Sequence, residues 1–179
     1  TAPMYRRFAK LFEGRNISFS AVSQFQRGIF RGLLDVDYVV HNAIDVNSYK
    51  FGEEGKGYNF NMSSIYPGKG THVAIDTSLK AGQKIIVGGP YYHNNEYWEG
   101  SVEPLIDRVE MDVPADQING LVDDFVNSND QVLYLGEIGA PQKRLLYTGA
   151  DAFLFPVTID ETFGLVSAEA NASGVPVVS

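Results

Sequence analysis

The sequence contains no cysteine. This excludes disulfide staples, thiolate metal sites and a cysteine nucleophile. It is also short of positive charge, with 14 Lys and Arg against 22 Asp and Glu and a net charge of −8. Sequence-independent nucleic-acid binding needs clustered Lys and Arg, so no nucleic-acid partner is expected. No apolar run reaches the roughly 18 residues of a transmembrane helix. The opening residues lack the pattern of a secretory signal. The chain starts at Thr1 without an initiator Met and stops after Pro176-Val177-Val178-Ser179, inside an apparent buried strand. Both ends read as cuts. What remains is 44% hydrophobic and 12% aromatic, ample material for a packed core.

Apolar runs and helical patterns alternate along the chain. Asn16–Val22 is β-rich, and Ser23 suits the N-cap of a short helix reaching about Arg31. Asp37–Val40 is a second short strand, and the polar, Gly-rich residues 46–57 read as a linker and boundary. Strands are then expected at 58–63, 83–87, 131–135, 152–155 and 175–178, and helices at 69–80, 114–127, 141–148 and 164–173. Strands alternating with helices predict an α/β fold, a Rossmann-like doubly wound parallel sheet. In such a sheet ligands bind beyond the carboxyl ends of the strands. Function is therefore sought in the loops after Ser63, Val87, Leu135 and Phe155.

The most informative of these runs from Pro156 into the helix near Gly164. The first helical amides have no intrahelical acceptor, and Gly164 permits close approach, which together suit a phosphate. Glu161 precedes the helix and Glu169 lies within it. A carboxylate beside a phosphate site needs neutral partners, and sugar hydroxyls are such partners. Equally, two glutamates eight apart are common in an acidic chain, and Glu161 would also serve as a cap for the helix amides. Lys69 opens a predicted helix, where a cation is disfavoured, so its placement points to a phosphate. The alternative is a tolerated, solvated lysine. His93 and Glu96 have metal-ligand spacing without a third ligand nearby, and read as a surface pair. The cluster Tyr91, Tyr92, Tyr97 and Trp98 reads as loop packing, and His72 as packing or surface.

Glu161-Thr162-Phe163-Gly164-Leu165-Val166-Ser167-Ala168-Glu169, followed by Gly174-Val175-Pro176-Val177-Val178, resembles the E-x7-E signature of retaining GT-B glycosyltransferases, specifically glycosyltransferase family 4. His41-Asn42-Ala43-Ile44-Asp45 is similar to that family's entry to its second domain, and Tyr66-Pro67-Gly68-Lys69-Gly70 to its lysine loop. Val132–Phe155 is similar to a third conserved run. The resemblance implies a partial chain. Residues 1–45 would be the tail of an N-terminal acceptor domain and hinge, and residues 46–179 an incomplete nucleotide-sugar-binding domain. It implies transfer of a hexose from a nucleotide-diphosphate sugar with retention and without metal or other cofactor. The acceptor, whether glycan, lipid or small molecule, is undefined. As a fragment the chain would be inactive, needing the rest of the enzyme or a complementary chain. The setting implied is cytoplasmic, with any inner-membrane contact made through the missing domain.

By the same resemblance Glu161 and Lys69 are the catalytic residues, contacting the donor sugar and the diphosphate. Ser64, Gly68, Gly88, Gly136, Ile138, Phe163, Gly164, Leu165, Val166 and Glu169 form the donor site, with Glu169 on the ribose. Two positions depart from the pattern. Ser63-Ser64 stands where the family has a Gly-Arg pair, and serine cannot replace bidentate phosphate contacts. Arg144 is a possible substitute. Ala43 stands where the family has glycine, so a positive φ is expected there at a cost of around a kcal/mol. The Ser64 departure favours a second reading, a catalytically weakened nucleotide-sugar-binding or regulatory subunit. A sugar-nucleotide epimerase shares the architecture but not the two-glutamate context.

Overall fold

The computed structural model describes residue 7 and residues 10–52, 54–92 and 96–179. Glu53 and His93 lie outside the described residues. The chain divides into two compact units. The first comprises Thr1–Ala43 with Asp160–Leu165, and the second Ile44–Ile159 with Val166–Ser179. The division thus falls two residues ahead of the 45/46 boundary read from sequence, and a short loop far along the chain joins the first unit.

In the first unit, β1 (Ser20–Ala21) pairs in parallel with β2 (Tyr38–Val39). Helix α1 (Gln24–Ile29) follows β1, with Ser23 as its N-cap. The Gln26 amide donates to Ser23 Oγ at 3.0 Å, and the Val22 amide donates to the Gln26 side chain at 2.8 Å. This is close to a capping box. Ser23 Oγ also donates to the Thr162 carbonyl at 2.6 Å, which ties the loop 160–165 to the helix start. Ser23→Ala removes both bonds. Amide exchange across Gln26–Ile29 is expected to rise about fivefold to tenfold, matching the ~1 kcal/mol of a lost cap. Unchanged exchange would show that the cap carries no stability.

The second unit is a six-stranded parallel sheet in the order β5-β6-β4-β3-β7-β8. Its strands are β3 (Tyr58–Met62), β4 (Lys84–Gly88), β5 (Arg108–Val109), β6 (Val132–Tyr134), β7 (Ala152–Leu154) and β8 (Val177–Val178). Helices α2 (Thr71–Lys80), α3 (Ile118–Asn127), α4 (Ala140–Gly149) and α5 (Leu165–Ala172) cover it. Alternate strand residues enter two cores. Tyr58, Phe60, Ile86 and Leu133 pack with Ile118, Phe125, Leu146 and Tyr147 on one face. Ile85, Val87, Val132 and Tyr134 pack with Ala74, Ile75 and Trp98 on the other. Both faces are buried, so β4 and β6 are largely apolar, while in β3 the buried Asn59 and Asn61 donate to Ser78 Oγ at 3.1 Å and to the Leu154 carbonyl at 2.8 Å. The doubly wound parallel sheet expected from sequence is the one observed. Among the described residues no helix is long and apolar enough to cross a membrane.

Two local expectations are corrected. Lys69 does not open a helix. It closes a 3-10 turn, Pro67–Lys69, and Gly70 at φ 68° separates it from α2. Among the described residues Asp112 is the sole non-glycine at positive φ, so Ala43 carries no left-handed strain. Two features had no sequence signal strong enough to find. One is the two-residue strand β5, and the other a π-helical turn at Trp98–Val102.

Candidate functional site

The sheet order reverses at β3. Strands β4, β6 and β5 lie to one side of it, and β7 and β8 to the other. At such a switch point the loops leaving adjacent carboxyl ends diverge and open a crevice. The loop after β3 carries Ser63, Ser64, Gly68 and Lys69, and the loop after β7 carries Phe155–Ile159. The two are joined, since the Thr158 amide donates to the Gly68 carbonyl at 3.0 Å. Gly70 is required here twice over. Its φ is left-handed, and a Cβ would collide with the Pro156 carbonyl oxygen. The Lys69 ammonium lies 5.6 Å from the centre of the Phe155 ring. Ser64 is exposed on the same loop.

The loops after β4 and β6 meet beside this crevice. Gly89 donates to the Gly136 carbonyl at 2.7 Å, and the Tyr134 hydroxyl donates to the Gly89 carbonyl at 2.9 Å. The Ser63 amide donates to the Gly88 carbonyl at 3.2 Å. At Gly88 a Cβ would lie 2.8 Å from Ile138 Cδ1, so the glycine admits the buried isoleucine. Gly68, Lys69, Gly88, Gly136 and Ile138 are therefore gathered along one sheet edge. Tyr91 stacks on Trp98 at 4.1 Å between ring centroids, next to Tyr134. His72 Nδ1 and the Tyr97 hydroxyl are 2.7 Å apart. These aromatics pack the loop after β4, while Tyr92 is exposed.

Glu169 is buried on α5. Its Oε1 accepts from the Lys143 ammonium at 2.7 Å, and its Oε2 lies 3.4 Å from the Tyr147 hydroxyl. That hydroxyl also donates to the Val166 carbonyl at 3.0 Å. Burial, and then the Glu169 charge, push the Tyr147 pKa up, so the phenol stays a donor. Tyr49 faces the same carboxylate, and burial followed by its bond to Glu169 raises its pKa as well. Sequence reasoning missed Lys143, Tyr147 and Tyr49. They come from other elements, and no local spacing announces them. Arg144, the possible substitute for the missing arginine, rests its guanidinium 5.5 Å from the Tyr49 ring, with Nε buried and without a hydrogen-bond partner.

Glu161 and Phe163 belong to the loop of the first unit. Glu161 is half-buried, and the Phe163 ring lies 6.2 Å from that of His41. Gly164, at φ 76°, turns the chain into α5, which begins at Leu165. Among the described residues no group of three or more metal-ligating side chains occurs.

Residues 123–179 match the family model described as Glycosyl transferases group 1. The O-antigen chain mannosyltransferase RfbU of Salmonella typhimurium is 25% identical over 140 residues, covering 78% of this chain and 34% of that protein. The fold is shared with solved glycosyltransferases. HepE of Anabaena, crystallised with UDP and glucose, superposes with a TM-score of 0.69 at 21% identity over 100% of this chain and 48% of that one. Sucrose-phosphate synthase of Thermosynechococcus elongatus gives 0.66 at 16% identity, over 99% and 43%. The six-stranded parallel fold is thus one these glycosyltransferases share, and the chain spans about a third of the length of the curated relative.

Proposed function

We propose that this chain is the donor side of a glycosyltransferase that takes a nucleotide-diphosphate sugar and transfers its hexose with retention, without a metal. The observation that carries the reading is the meeting, at the β3–β7 switch point, of Lys69 with three glycine-bearing loops, those after β3, β4 and β6. The match over residues 123–179 and the sheet shared with HepE support it. Residues 1–45 would then be the tail of an acceptor domain, and residues 46–179 the donor domain. Lys69 would face the diphosphate, together with the amides that follow Gly164. Backbone around Gly136 and Ile138 would lie along the base. Glu169 would accept from the ribose hydroxyls, and Glu161 from those of the sugar. Catalysis would be electrostatic and positional. The bond from the anomeric carbon to the diphosphate breaks as an acceptor hydroxyl oxygen bonds to that carbon on the same face, the hydroxyl proton passes to the departing diphosphate oxygen, and the diphosphate leaves against Lys69.

Calorimetric titration with UDP-, GDP- and ADP-sugars tests the reading, and one of the three is expected to bind. Lys69→Met should weaken that donor about 30-fold, the value of one charge-assisted bond of roughly 2 kcal/mol. The matching nucleoside, which has no phosphate, should bind as before. Absence of binding by every donor would remove the reading. Ser64 in an exposed position on the phosphate-side loop favours a second one, a subunit that holds nucleotide-sugar but transfers it poorly. Donor binding without turnover in the full-length protein would select it.

A further inference from the structure

We infer that Lys143 is a positioning residue for the donor's ribose, acting through Glu169. The inference rests on the donor-binding reading above. Lys143 stands in the first turn of α4, where its amide donates to the Gly139 carbonyl. A cation there opposes the helix dipole. Its side chain is only 17% exposed and that of Glu169 only 10%. Two buried charges pay a desolvation cost that an apolar pair of similar volume would avoid. Neither the helix nor the core therefore benefits from a lysine at this point. What the lysine does achieve is local. It fixes Oε1 at 2.7 Å. Tyr147 commits its proton over the shorter distance to the Val166 carbonyl, 3.0 Å against 3.4 Å to Oε2.

An ionised carboxylate has about four acceptor positions on its two oxygens. Lys143 takes one on Oε1, and Tyr147 contributes a long contact to Oε2. The Tyr49 hydroxyl is the third group facing the carboxylate, and the Arg144 guanidinium rests over the Tyr49 ring. Acceptor capacity is left for neutral hydroxyl donors, and the vicinal 2′ and 3′ hydroxyls of a ribose are a matched pair. Lys143 holds the carboxylate in one rotamer while they bind. Such preorganisation lowers the ordering cost of binding.

The test compares a ribonucleotide with its 2′-deoxy form in the full-length protein. The probes are the tightest binder among UDP, GDP and ADP and the corresponding 2′-deoxynucleoside diphosphate. Wild type should prefer the ribonucleotide by about tenfold or more. Lys143→Met should bring that ratio close to one, chiefly by weakening the ribonucleotide, and Lys143→Arg should restore most of it. A lysine that serves stability alone would shift both affinities together and leave the ratio unchanged, which overturns the inference. So would tighter ribonucleotide binding in Lys143→Met, which would make the lysine a competitor of the ribose. If wild type binds none of the three nucleotides, the donor reading itself fails. If Lys143→Met does not fold, Lys143→Gln decides: a ratio near one there, kept in Lys143→Arg, supports the inference, and a ratio unchanged in Lys143→Gln overturns it.

Discussion

Glu169→Ala is expected to lower donor affinity about 100-fold and to destabilise the second unit at the same time. The two effects have separate causes. In the proposed donor complex the carboxylate accepts two hydroxyl bonds, each worth about 1.5 kcal/mol when the acceptor is charged, and ~3 kcal/mol is about two orders of magnitude in affinity. The stability loss arises without any ligand. Removing the carboxylate leaves the Lys143 ammonium, 17% exposed, without its ion-pair partner. Breaking one side of a largely buried pair costs about 3 kcal/mol. Glu169→Gln separates the two. It keeps the volume and one acceptor but loses the charge, so it should recover part of the folding energy and little of the affinity. Calorimetric titration and urea unfolding on the same preparations measure both. Undiminished affinity beside lowered stability would reduce Glu169 to an ion-pair partner for α4 and move the ribose elsewhere.

Much of the second unit was readable because its signals are local. Ala152-Phe153-Leu154 is apolar at every position and forms β7, and the spacing of Ile118, Val122 and Phe125 marks the buried face of α3. The glycines were readable for the same reason. Gly88, Gly89 and Gly136 end strands, and they do converge. What the sequence hid depends on partners far along the chain. Lys143 and Glu169 are 26 residues apart, and nothing in either neighbourhood points to the other. Lys69 directly adjoins the run whose apolar positions predict a helix over 69–80, whereas Gly70, at φ 68°, separates it from α2 by a conformation that apolar spacing does not encode. Strand β5 is two residues long and exists because the Asp107 amide and the Glu110 amide pair with carbonyls of Val132 and Tyr134. The loop holding Glu161 follows β7 in sequence but packs with the first unit, through Ser23 and its bond to Thr162.

Gly89→Ala should be the most disruptive small substitution at the sheet edge. Gly89 sits at φ 128°, outside the range L side chains adopt, and a Cβ there would lie 2.7 Å from the Ser63 carbonyl carbon and closer still to its oxygen. The obstacle is backbone, so no rotamer change relieves it. The strand ends must separate. That movement strains three bonds: Ser63 to Gly88, Gly89 to Gly136, and Tyr134 to Gly89. Backbone strain of about 1–3 kcal/mol, together with the weakened bonds, gives an expected loss of about 4 kcal/mol. Gly82→Ala is the control. Gly82 also has positive φ, 69°, but nothing lies within 4 Å of its would-be Cβ. It should cost only the left-handed penalty, about 1 kcal/mol. A shift in urea midpoint for Gly89→Ala no larger than that for Gly82→Ala would mean the strand ends yield freely. In that case they could not hold the loops of Ser64 and Gly136 in fixed register around a donor. A large shift makes the edge rigid, and rigidity is what lets backbone groups, carrying no side-chain chemistry of their own, act as a preformed binding surface.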